Sequence, residues 1–351
     1  MDISELFMSR CLELAAHGRG NVAPNPMVGA VLVADDRVIG EGFHREYGKA
    51  HAEVVAIESV KDEALLLRST LYINLEPCTH FGKTAPCAEL IILKAIPRVV
   101  IACSDPYPEV AGRGIRMLQD AGIEVQTGVL EREAIQLNRF FMTAHQRHRP
   151  YIILKWAQSR DGFIDIKRKD ASEKPVVFSN AVTRMLTHRL RSEVQAVLVG
   201  TNTAVLDDPA LTVRYWSGKS PVRVVIDRNR RVTEGSRLFD GEAQTVVFRG
   251  EANCKLMPRP SPREVVEMLF NEGIHSVLVE GGAALHRSFF EENLWDELFI
   301  ETAPFLLEEG VKSAFEFAPK NIHPAEIQDV YERRSKDEMP SIITRYVNYN
   351  F

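Results

Sequence analysis

His51, Cys78 and Cys87 most constrain how this chain can fold. An imidazole and two thiolates are ligands that zinc prefers, and three protein ligands leave the fourth tetrahedral position open, as a catalytic zinc requires. The alternating pattern predicts that His51 opens a helix, that Cys78 follows a buried strand and that Cys87 begins another helix. The metal prediction requires the three side chains to lie close together, and it fails if they do not.

Glu53 stands two residues after His51, where it can face a metal without binding it. Zinc lowers the pKa of a bound water towards about 7, so hydrolysis needs a neighbouring group to move protons. His-x-Glu followed by Pro-Cys is the zinc deaminase pattern, in which the glutamate carries protons to the leaving ammonia. The usual continuation is Pro-Cys-x-x-Cys, whereas eight residues separate Cys78 from Cys87 here. Two other hypotheses stay open for these residues. They are ordinary core residues, or they bind a structural zinc with His80 as the fourth ligand.

At 351 residues the chain exceeds the size at which a single core usually stops growing, so we expect two domains. The basic, polar stretch from His145 to Pro150 predicts a linker, with one domain at 1–145 and the other at 146–351. The 43 basic and 48 acidic residues give a net charge of −5, which argues against a nucleic-acid surface. A small anionic substrate needs only a local basic pocket.

Five scattered cysteines favour reduced thiols in a cytosol over a disulfide framework. The N-terminus has neither the basic nor the apolar segment of a signal peptide. No run approaches about 18 apolar residues, so we expect no membrane span. The sequence therefore predicts a cytoplasmic protein that binds neither nucleic acid nor a membrane.

Helical and strand patterns alternate along the first half, which is typical of an α/β layer with helices on both faces of a sheet. In the first half we predict helices at 2–17, 51–59, from 87, 113–121 and 132–141, and strands at 28–33, 37–43, 70–74, 98–102 and 124–127. In the second half we predict helices at 181–192 and 262–272, and strands at 151–157, 196–200, 222–227, 245–248 and 276–280. Gly281-Gly282 follows the last strand, where bare amides can meet a phosphate at a helix N-terminus. Gly112-Arg-Gly114 lacks the third glycine of a dinucleotide fingerprint and is read as a turn.

Motifs along both halves resemble the bifunctional riboflavin-biosynthesis family, in which a pyrimidine deaminase is fused to a pyrimidine reductase. The first half carries Pro24-Asn25-Pro26-Met-Val-Gly29, Gly42-Phe43-His44, His51-Ala-Glu53-Val, the stretch from Leu75 to Cys87, and Asp105-Pro106. The second half carries Leu154-Lys155, Asp161-Gly162, Leu190-Arg191, the stretch from Val199 to Arg214, and Val279-Glu280-Gly281-Gly282. The eight-residue gap between the cysteines is itself the family's pattern.

The resemblance implies a cytidine-deaminase-like α/β/α layer followed by a dihydrofolate-reductase-like α/β domain. It implies zinc-dependent hydrolytic deamination of 2,5-diamino-6-ribosylamino-4(3H)-pyrimidinone 5′-phosphate. It further implies reduction by NADPH of the ribosyl group of 5-amino-6-(5-phosphoribosylamino)uracil to a ribityl chain. A homo-oligomer, dimer or tetramer, joined through the reductase halves is implied as well.

By the same resemblance, His51, Cys78 and Cys87 are the zinc ligands and Glu53 is the proton carrier. The residues implied to hold the pyrimidine and its phosphate in the deaminase are Asn25, His44, His80 and Lys83. The substrate contacts implied in the reductase are Arg191, Leu211, Arg214 and Glu280. The cofactor contacts implied are Thr203, Asp207 and the backbone amides of Gly282, Ala283, Ala284, Leu285, His286, Arg287 and Ser288.

The chain departs from the family pattern after the Asp161-Gly162 turn. A Ser-x-Trp-Ile-Thr segment is usual there, whereas this chain has Pro175-Val-Val177-Phe178-Ser179, preceded by extra residues rich in Lys and Asp. The stacking surface of the tryptophan is absent, and Ser179 alone retains a hydroxyl near the place of the threonine. Tyr107 likewise replaces an asparagine that is usual after Asp105-Pro106.

Two further hypotheses therefore stay open beside the bifunctional enzyme. One is an active deaminase whose second half binds substrate or a partner without reducing anything. The other is a zinc-stabilised scaffold with no turnover.

Overall fold

The computed structural model describes residues 2–79, 86–107, 111–249, 260–320, 322–331 and 340–348. Its contacts divide the chain into two compact units, Met1–His148 and Arg149–Phe351, here called the first and the second unit. His80 and Lys83, both predicted to bind substrate, lie outside the described residues. Within the described part of the chain, no helix combines the length and the apolarity needed to cross a bilayer.

The first unit is built on a five-stranded sheet with the order β2-β1-β3-β4-β5. Its strands are β1 (Gly29–Ala34), β2 (Arg37–Phe43), β3 (Thr70–Leu75), β4 (Arg98–Cys103) and β5 (Glu124–Thr127). Its helices are α1 (Ile3–Ala16), α2 (Ala52–Glu58), α3 (Cys87–Leu93), α4 (Arg113–Asp120), α5 (Glu131–Leu137) and α6 (Arg139–Arg147), with a 3-10 turn at Glu63–Arg68. β1 is antiparallel to β2 and β3, whereas β3, β4 and β5 are parallel.

Helices cover both faces of this sheet. Ala30 and Leu32 of β1 belong to a buried cluster with α2, α3 and α4. Val31 and Val33 belong to a second cluster with α1, α5 and α6. Successive residues of a strand face opposite sides, so strands that are apolar throughout must be covered on both. The predicted layer with helices on both faces is confirmed.

The second unit is built on an eight-stranded sheet with the order β10-β9-β8-β11-β6-β12-β15-β14. Its strands are β6 (Tyr151–Gln158), β7 (Phe163–Asp165), β8 (Ala196–Gly200), β9 (Val222–Ile226), β10 (Thr245–Phe248), β11 (Ser276–Val279), β12 (Glu297–Thr302), β13 (Val311–Lys312), β14 (Pro324–Val330) and β15 (Ser341–Val347). Its helices are α7 (Ala181–Glu193), α8 (Thr201–Asp207), α9 (Pro262–Asn271) and α10 (Ala283–Glu291), with 3-10 turns at Arg237–Phe239 and Ala314–Phe317.

The six strands from β10 to β12 in that order are parallel, and β15 and β14 continue the sheet antiparallel. The carboxyl ends of six strands therefore lie along one edge, which is where open α/β sheets bind their ligands. β7 and β13 form a separate two-stranded ribbon.

Two local predictions differ from the structure. The helix predicted at 132–141 is two helices, because Asn138 interrupts it with both side-chain atoms bonded to the main chain of Met27. The linker predicted from His145 is wrong for residues 145–147, which complete α6. That helix continues because Met142, Thr143 and Ala144 are buried, and it ends at His148 with a φ of +52°.

Candidate functional site

The three predicted metal ligands lie together in the first unit. The ligand atoms of His51, Cys78 and Cys87 all lie within 4.8 Å of one another. His51 is the N-cap of α2, Cys78 lies beyond the end of β3, and Cys87 is the first residue of α3. Two helix starts and one strand end thus bring the imidazole and the two thiols to one point.

The distances in this cluster fit a tetrahedral zinc. Nδ1 of His51 lies 3.6 Å from Sγ of Cys78 and 3.3 Å from Sγ of Cys87. Zn–N bonds of about 2.05 Å and Zn–S bonds of about 2.3 Å at a tetrahedral angle separate N from S by about 3.6 Å. The donor set and its spacing therefore suit a zinc ion with one open position.

Cys78 is set up to bind a metal as a thiolate, whereas the hydrogen bond to Cys78 and burial raise the pKa of Cys87. Cys78 accepts hydrogen bonds from the Cys87 thiol and from His51, and these lower the pKa of Cys78 to about 4. The backbone N–H of Cys87, at the start of α3, also donates to Sγ of Cys78 at 3.4 Å. Thiolate is the form that zinc binds.

Glu53 lies in the first turn of α2, next to the cluster, and is not one of the three candidate metal ligands. Its carboxyl is 3% exposed, and this burial, with the nearby Cys78, raises its pKa to about 7. A group that titrates near neutral pH can both take up and release a proton there.

Asn25 and His44 form a second polar pair beside the cluster. Nδ1 of His44 donates to the Ala50 carbonyl at 3.0 Å, which leaves Nε2 to accept from the Asn25 amide at 3.2 Å. Burial lowers the pKa of His44, so its ring is neutral. The rings of His44 and His51 are 5.5 Å apart. The structure thus places two of the four predicted pyrimidine contacts next to the metal cluster.

Three side chains that the sequence analysis missed hold this region in place. Asn74 accepts from Gly29 N–H at 2.8 Å and donates to the Met27 carbonyl at 3.0 Å. Asn138 accepts from Met27 N–H at 2.8 Å and donates to the same carbonyl at 2.9 Å. The loop that carries Asn25 is therefore anchored through its main chain.

Glu76 is the third of these side chains. Its buried carboxylate accepts from the backbone N–H groups of Asp105, Gly112, Gly114 and Ile115 at 3.1, 2.9, 2.8 and 3.3 Å. Glu76 therefore holds the N-terminal turn of α4 against the segment that carries Cys78, which lies two residues after Glu76. In the sequence Glu76 stood inside the Leu-Glu-Pro-Cys motif, and that was the only signal of its importance.

In the second unit, Arg191 and Glu280 form a buried bidentate ion pair. Their nitrogen–oxygen distances are 2.7 and 2.8 Å, and their side chains are 11% and 12% exposed. A third nitrogen of Arg191 donates to the Thr212 carbonyl at 3.2 Å. Burial alone would raise the pKa of Glu280, but the Arg191 guanidinium outweighs it and holds that pKa below its ordinary value.

The other two predicted substrate contacts follow α8. Leu211 is buried with a φ of +53°. The backbone N–H of Arg214 donates to Nδ1 of His188 at 2.9 Å, while its guanidinium is exposed and lies 6.0 Å from the Tyr215 ring. Arg214 lies two residues after Thr212, whose carbonyl Arg191 contacts, so an exposed cation stands on the same segment that the Arg191–Glu280 pair holds.

The predicted cofactor contacts lie at the carboxyl ends of β8 and β11. A Cβ at Gly282 would meet Oγ1 of Thr203 at 3.8 Å, so these two positions face each other. Gly282 is the N-cap of α10, and its carbonyl accepts from the N–H groups of Leu285 and His286. Intrahelical bonding therefore leaves the first-turn amides, up to Ala284, as the ones that can face a phosphate.

Other side chains of α10 are engaged elsewhere. The His286 ring is buried, with Nε2 donating to the Val279 carbonyl at 3.1 Å and Trp156 5.0 Å away between ring centres. Arg287 pairs with Glu291 at 2.7 Å, and Ser288 donates to the Leu285 carbonyl at 2.7 Å.

Asp207, at the end of α8, is held by Arg168 of the extra segment after β7. Arg168 donates to both Asp207 and Asp165 and to the Leu206 carbonyl, and its side chain is 5% exposed. The extra segment therefore contacts Asp207, a predicted cofactor contact, through Arg168. No sequence pattern indicated this contact.

Comparisons with known proteins agree on both units. The family described as "Cytidine and deoxycytidylate deaminase zinc-binding region" matches residues 1–103, and the family described as "RibD C-terminal domain" matches residues 150–327. Riboflavin biosynthesis protein RibD of Aquifex aeolicus is 38% identical over 324 residues, covering 88% of this chain and 89% of the relative. The protein of the same name from Bacillus amyloliquefaciens is 40% identical over 323 residues, covering 87% and 85%.

A crystal structure from Thermotoga maritima has a similar fold along the whole chain. It is described as a diaminohydroxyphosphoribosylaminopyrimidine deaminase/5-amino-6-(5-phosphoribosylamino)uracil reductase, and it covers 98% of both chains at 34% identity with a TM-score of 0.86. The predicted succession of a deaminase-like and a reductase-like domain is thereby confirmed. The two family matches, the whole-length relatives and the shared architecture establish that this chain belongs to the RibD family.

Proposed function

We propose that this chain catalyses two consecutive reactions of riboflavin biosynthesis. Its first unit hydrolytically deaminates 2,5-diamino-6-ribosylamino-4(3H)-pyrimidinone 5′-phosphate. Its second unit reduces the ribosyl group of 5-amino-6-(5-phosphoribosylamino)uracil to ribityl with NADPH. The matches to RibD proteins over most of the chain support both activities. The observation that carries the proposal is the close cluster of His51, Cys78 and Cys87 with Glu53 beside it.

In the deaminase, we assign zinc to His51, Cys78 and Cys87. Zinc held there supplies Lewis-acid activation of water at neutral pH. Glu53 takes the proton from the attacking water and passes it to the amino group, which leaves as ammonia. Its burial and its position in the first turn of α2 suit this role, since a rigid helix holds it beside the ligands.

Asn25 and His44 are assigned to the pyrimidine. Their mutual hydrogen bond leaves the Asn25 side-chain oxygen as an acceptor for a ring N–H or amino group, and neutral His44 fixes the amide orientation. His80 and Lys83 are assigned to the substrate on the family resemblance alone.

In the reductase, we assign the substrate to Arg191, Leu211, Arg214 and Glu280. We assign the cofactor to Thr203, Asp207 and, of the predicted residues from Gly282 to Ser288, the first-turn amides up to Ala284. NADPH supplies the hydride that reduces the open-chain ribosyl carbon. The exposed Arg214 guanidinium suits the phosphate, because Arg191 is already paired with Glu280. The small residues at Gly282 and Ala283 let the start of α10 approach a phosphate closely.

We further propose a cytoplasmic homo-oligomer, dimer or tetramer. Four cysteines in the described residues are free thiols, as expected in a reducing compartment. Light scattering after size-exclusion chromatography measures the assembly state, and a monomer would contradict this part of the proposal.

The decisive variant for the deaminase is Glu53→Gln, because it removes the proton carrier without removing a metal ligand. We expect zinc content equal to that of the wild type and loss of ammonia release by at least about 100-fold, the usual contribution of a general acid–base. Zinc is measured by elemental analysis, and ammonia by a coupled assay. Ammonia release near the wild-type rate would reject the role of Glu53.

The reductase is tested with the full chain, NADPH and the deaminated product. We expect oxidation of NADPH, followed by absorbance, only when that product is present. A folded chain that releases ammonia but leaves NADPH unchanged would instead favour a second unit that only binds. Resistance of bound zinc to chelators until the protein unfolds, with no ammonia release at all, would favour a scaffold.

A further inference from the structure

Glu301 is a buried carboxylate that the assignments above do not use. It lies near the carboxyl end of β12 and is 3% exposed. Its Oε2 accepts a hydrogen bond of 2.7 Å from the Ser179 hydroxyl. Its Oε1 is buried without a hydrogen-bond partner in the described part of the chain. A buried carboxylate oxygen that no donor meets is costly, so its presence calls for a reason.

The strand register places Glu301 on the same face of the sheet as Glu280. In β6, β11 and β12, Leu154, Val279, Leu298 and Ile300 belong to the hydrophobic cluster on one face. Because side chains alternate, Lys155, Glu280 and Glu301 face the other side. Three charged groups therefore share one face near the carboxyl ends of three neighbouring parallel strands.

The spacing of these groups suits a ligand of nucleotide size. β11 pairs with β6 through Val279 and Leu154, and β6 pairs with β12 through Lys155 and Phe299. Glu301 lies two strands across from Glu280 and two residues further along. At about 4.8 Å per strand and about 3.3 Å per residue, the two Cα atoms are about 12 Å apart.

Helix α7 is tied to both carboxylates. Ser179 lies just before the N-cap of α7 and donates to Glu301. Arg191 lies in the last turn of α7 and pairs with Glu280. The two carboxylates thus bind the two ends of one helix, but Glu280 has both oxygens satisfied, whereas Glu301 keeps one oxygen free.

We propose that Glu301 contacts the substrate of the reductase unit and helps to determine its specificity. Its free Oε1 accepts a hydrogen bond from a neutral N–H or O–H group of the pyrimidine or the ribosyl chain. The charge of Glu301 repels the substrate phosphate, which therefore lies away from β12. The Ser179 hydroxyl orients the carboxylate. This inference rests on the reductase half of the proposed function.

The test is Glu301→Gln in the full chain, which keeps the size of the side chain and an acceptor for Ser179. Steady-state NADPH oxidation gives kcat and the KM values for the deaminated product and for NADPH. Loss of a hydrogen bond to a charged group predicts a rise of about 10- to 100-fold in KM for the deaminated product. We expect the KM for NADPH to stay within about twofold, because the proposed contact is with the pyrimidine substrate.

Thermal unfolding without ligand separates this role from a structural one. Removing an unpaired buried charge should leave the melting temperature of the variant equal to or above that of the wild type. A structural role would instead lower the melting temperature and disturb both KM values together. Glu267→Gln, an exposed change on α9 of the same unit, is the matched control and should match the wild type in every measurement.

Each outcome decides the matter. A raised KM for the deaminated product with retained stability supports the contact. An unchanged KM in an active enzyme overturns it and leaves the reductase function standing. If the wild-type chain does not oxidise NADPH with the deaminated product, the reductase function fails and this inference fails with it.

Discussion

Replacement of Glu76 by glutamine tests whether this carboxylate holds the cysteine cluster in place. Oε2 of Glu76 accepts from Asp105 and Gly112, and Oε1 accepts from Gly114 and Ile115. The side chain is 4% exposed, so water does not replace these bonds readily. Glutamine retains one oxygen. Its NH2 group would face two backbone N–H groups, and because an NH2 group donates and does not accept, neither bond could form.

The cost follows from the two hydrogen bonds that are lost with that oxygen. A buried N–H group left without a partner costs about 1–3 kcal/mol, so Glu76→Gln should lower the free energy of unfolding of the first unit by about 2–6 kcal/mol. Because Cys78 lies two residues further along, we also expect zinc to be released at lower chelator concentrations than from the wild type. Glu133→Gln, an exposed change in the first turn of α5, should stay within about 0.5 kcal/mol.

The assay is urea unfolding followed by far-ultraviolet circular dichroism, with tryptophan fluorescence recorded in parallel. The three tryptophans of the chain, Trp156, Trp216 and Trp295, all belong to the second unit. The fluorescence transition should therefore keep its midpoint while the dichroism transition of the first unit moves to lower urea. A first unit as stable as the wild type would refute the reasoning from unsatisfied amides.

Two further predictions concern packing and pH. Gly29→Ala should prevent the first unit from folding as a stable unit, because its Cβ would lie 2.1 Å from the Cys11 carbonyl oxygen of α1; dichroism and the yield of zinc-loaded protein check this. Burial lowers the pKa of His286 to about 4, so the folded state binds fewer protons than the unfolded state between pH 4 and about 6.5. As pH falls through that window, the free energy of unfolding of the second unit should decrease by about 3 kcal/mol in the wild type. The His286→Gln variant should not show this decrease, and tryptophan fluorescence in urea measures both proteins. Parallel stability curves for the two proteins would contradict it.

The fold class and the cluster of His51, Cys78 and Cys87 could be predicted because their signals are local. Alternating apolar runs define parallel strands and covering helices, and ligand chemistry singles out imidazole and thiol side chains. The structure brings the three ligands together at two helix starts and a strand end. Their role in binding zinc stays a prediction that elemental analysis can check.

The supporting contacts could not be predicted, because they join residues far apart in sequence through groups that carry no pattern. Glu76 binds main-chain N–H groups, which every residue type except proline has. Arg168 reaches Asp207 from an inserted segment that looks like a solvated charge run. Asn138 looks like an ordinary helix residue until its side chain is seen on Met27, and the same contact explains why the predicted helix is divided.

The hydrogen bonds to the main chain of Met27 also determine which substitutions this loop can tolerate. Asn74 and Asn138 grip the amide and carbonyl of residue 27, and neither contact involves the methionine side chain. Evolution can therefore exchange the side chain at position 27 without moving the neighbouring Asn25. The position of this loop depends instead on Asn74 and Asn138, which lie 47 and 111 residues away from it in sequence.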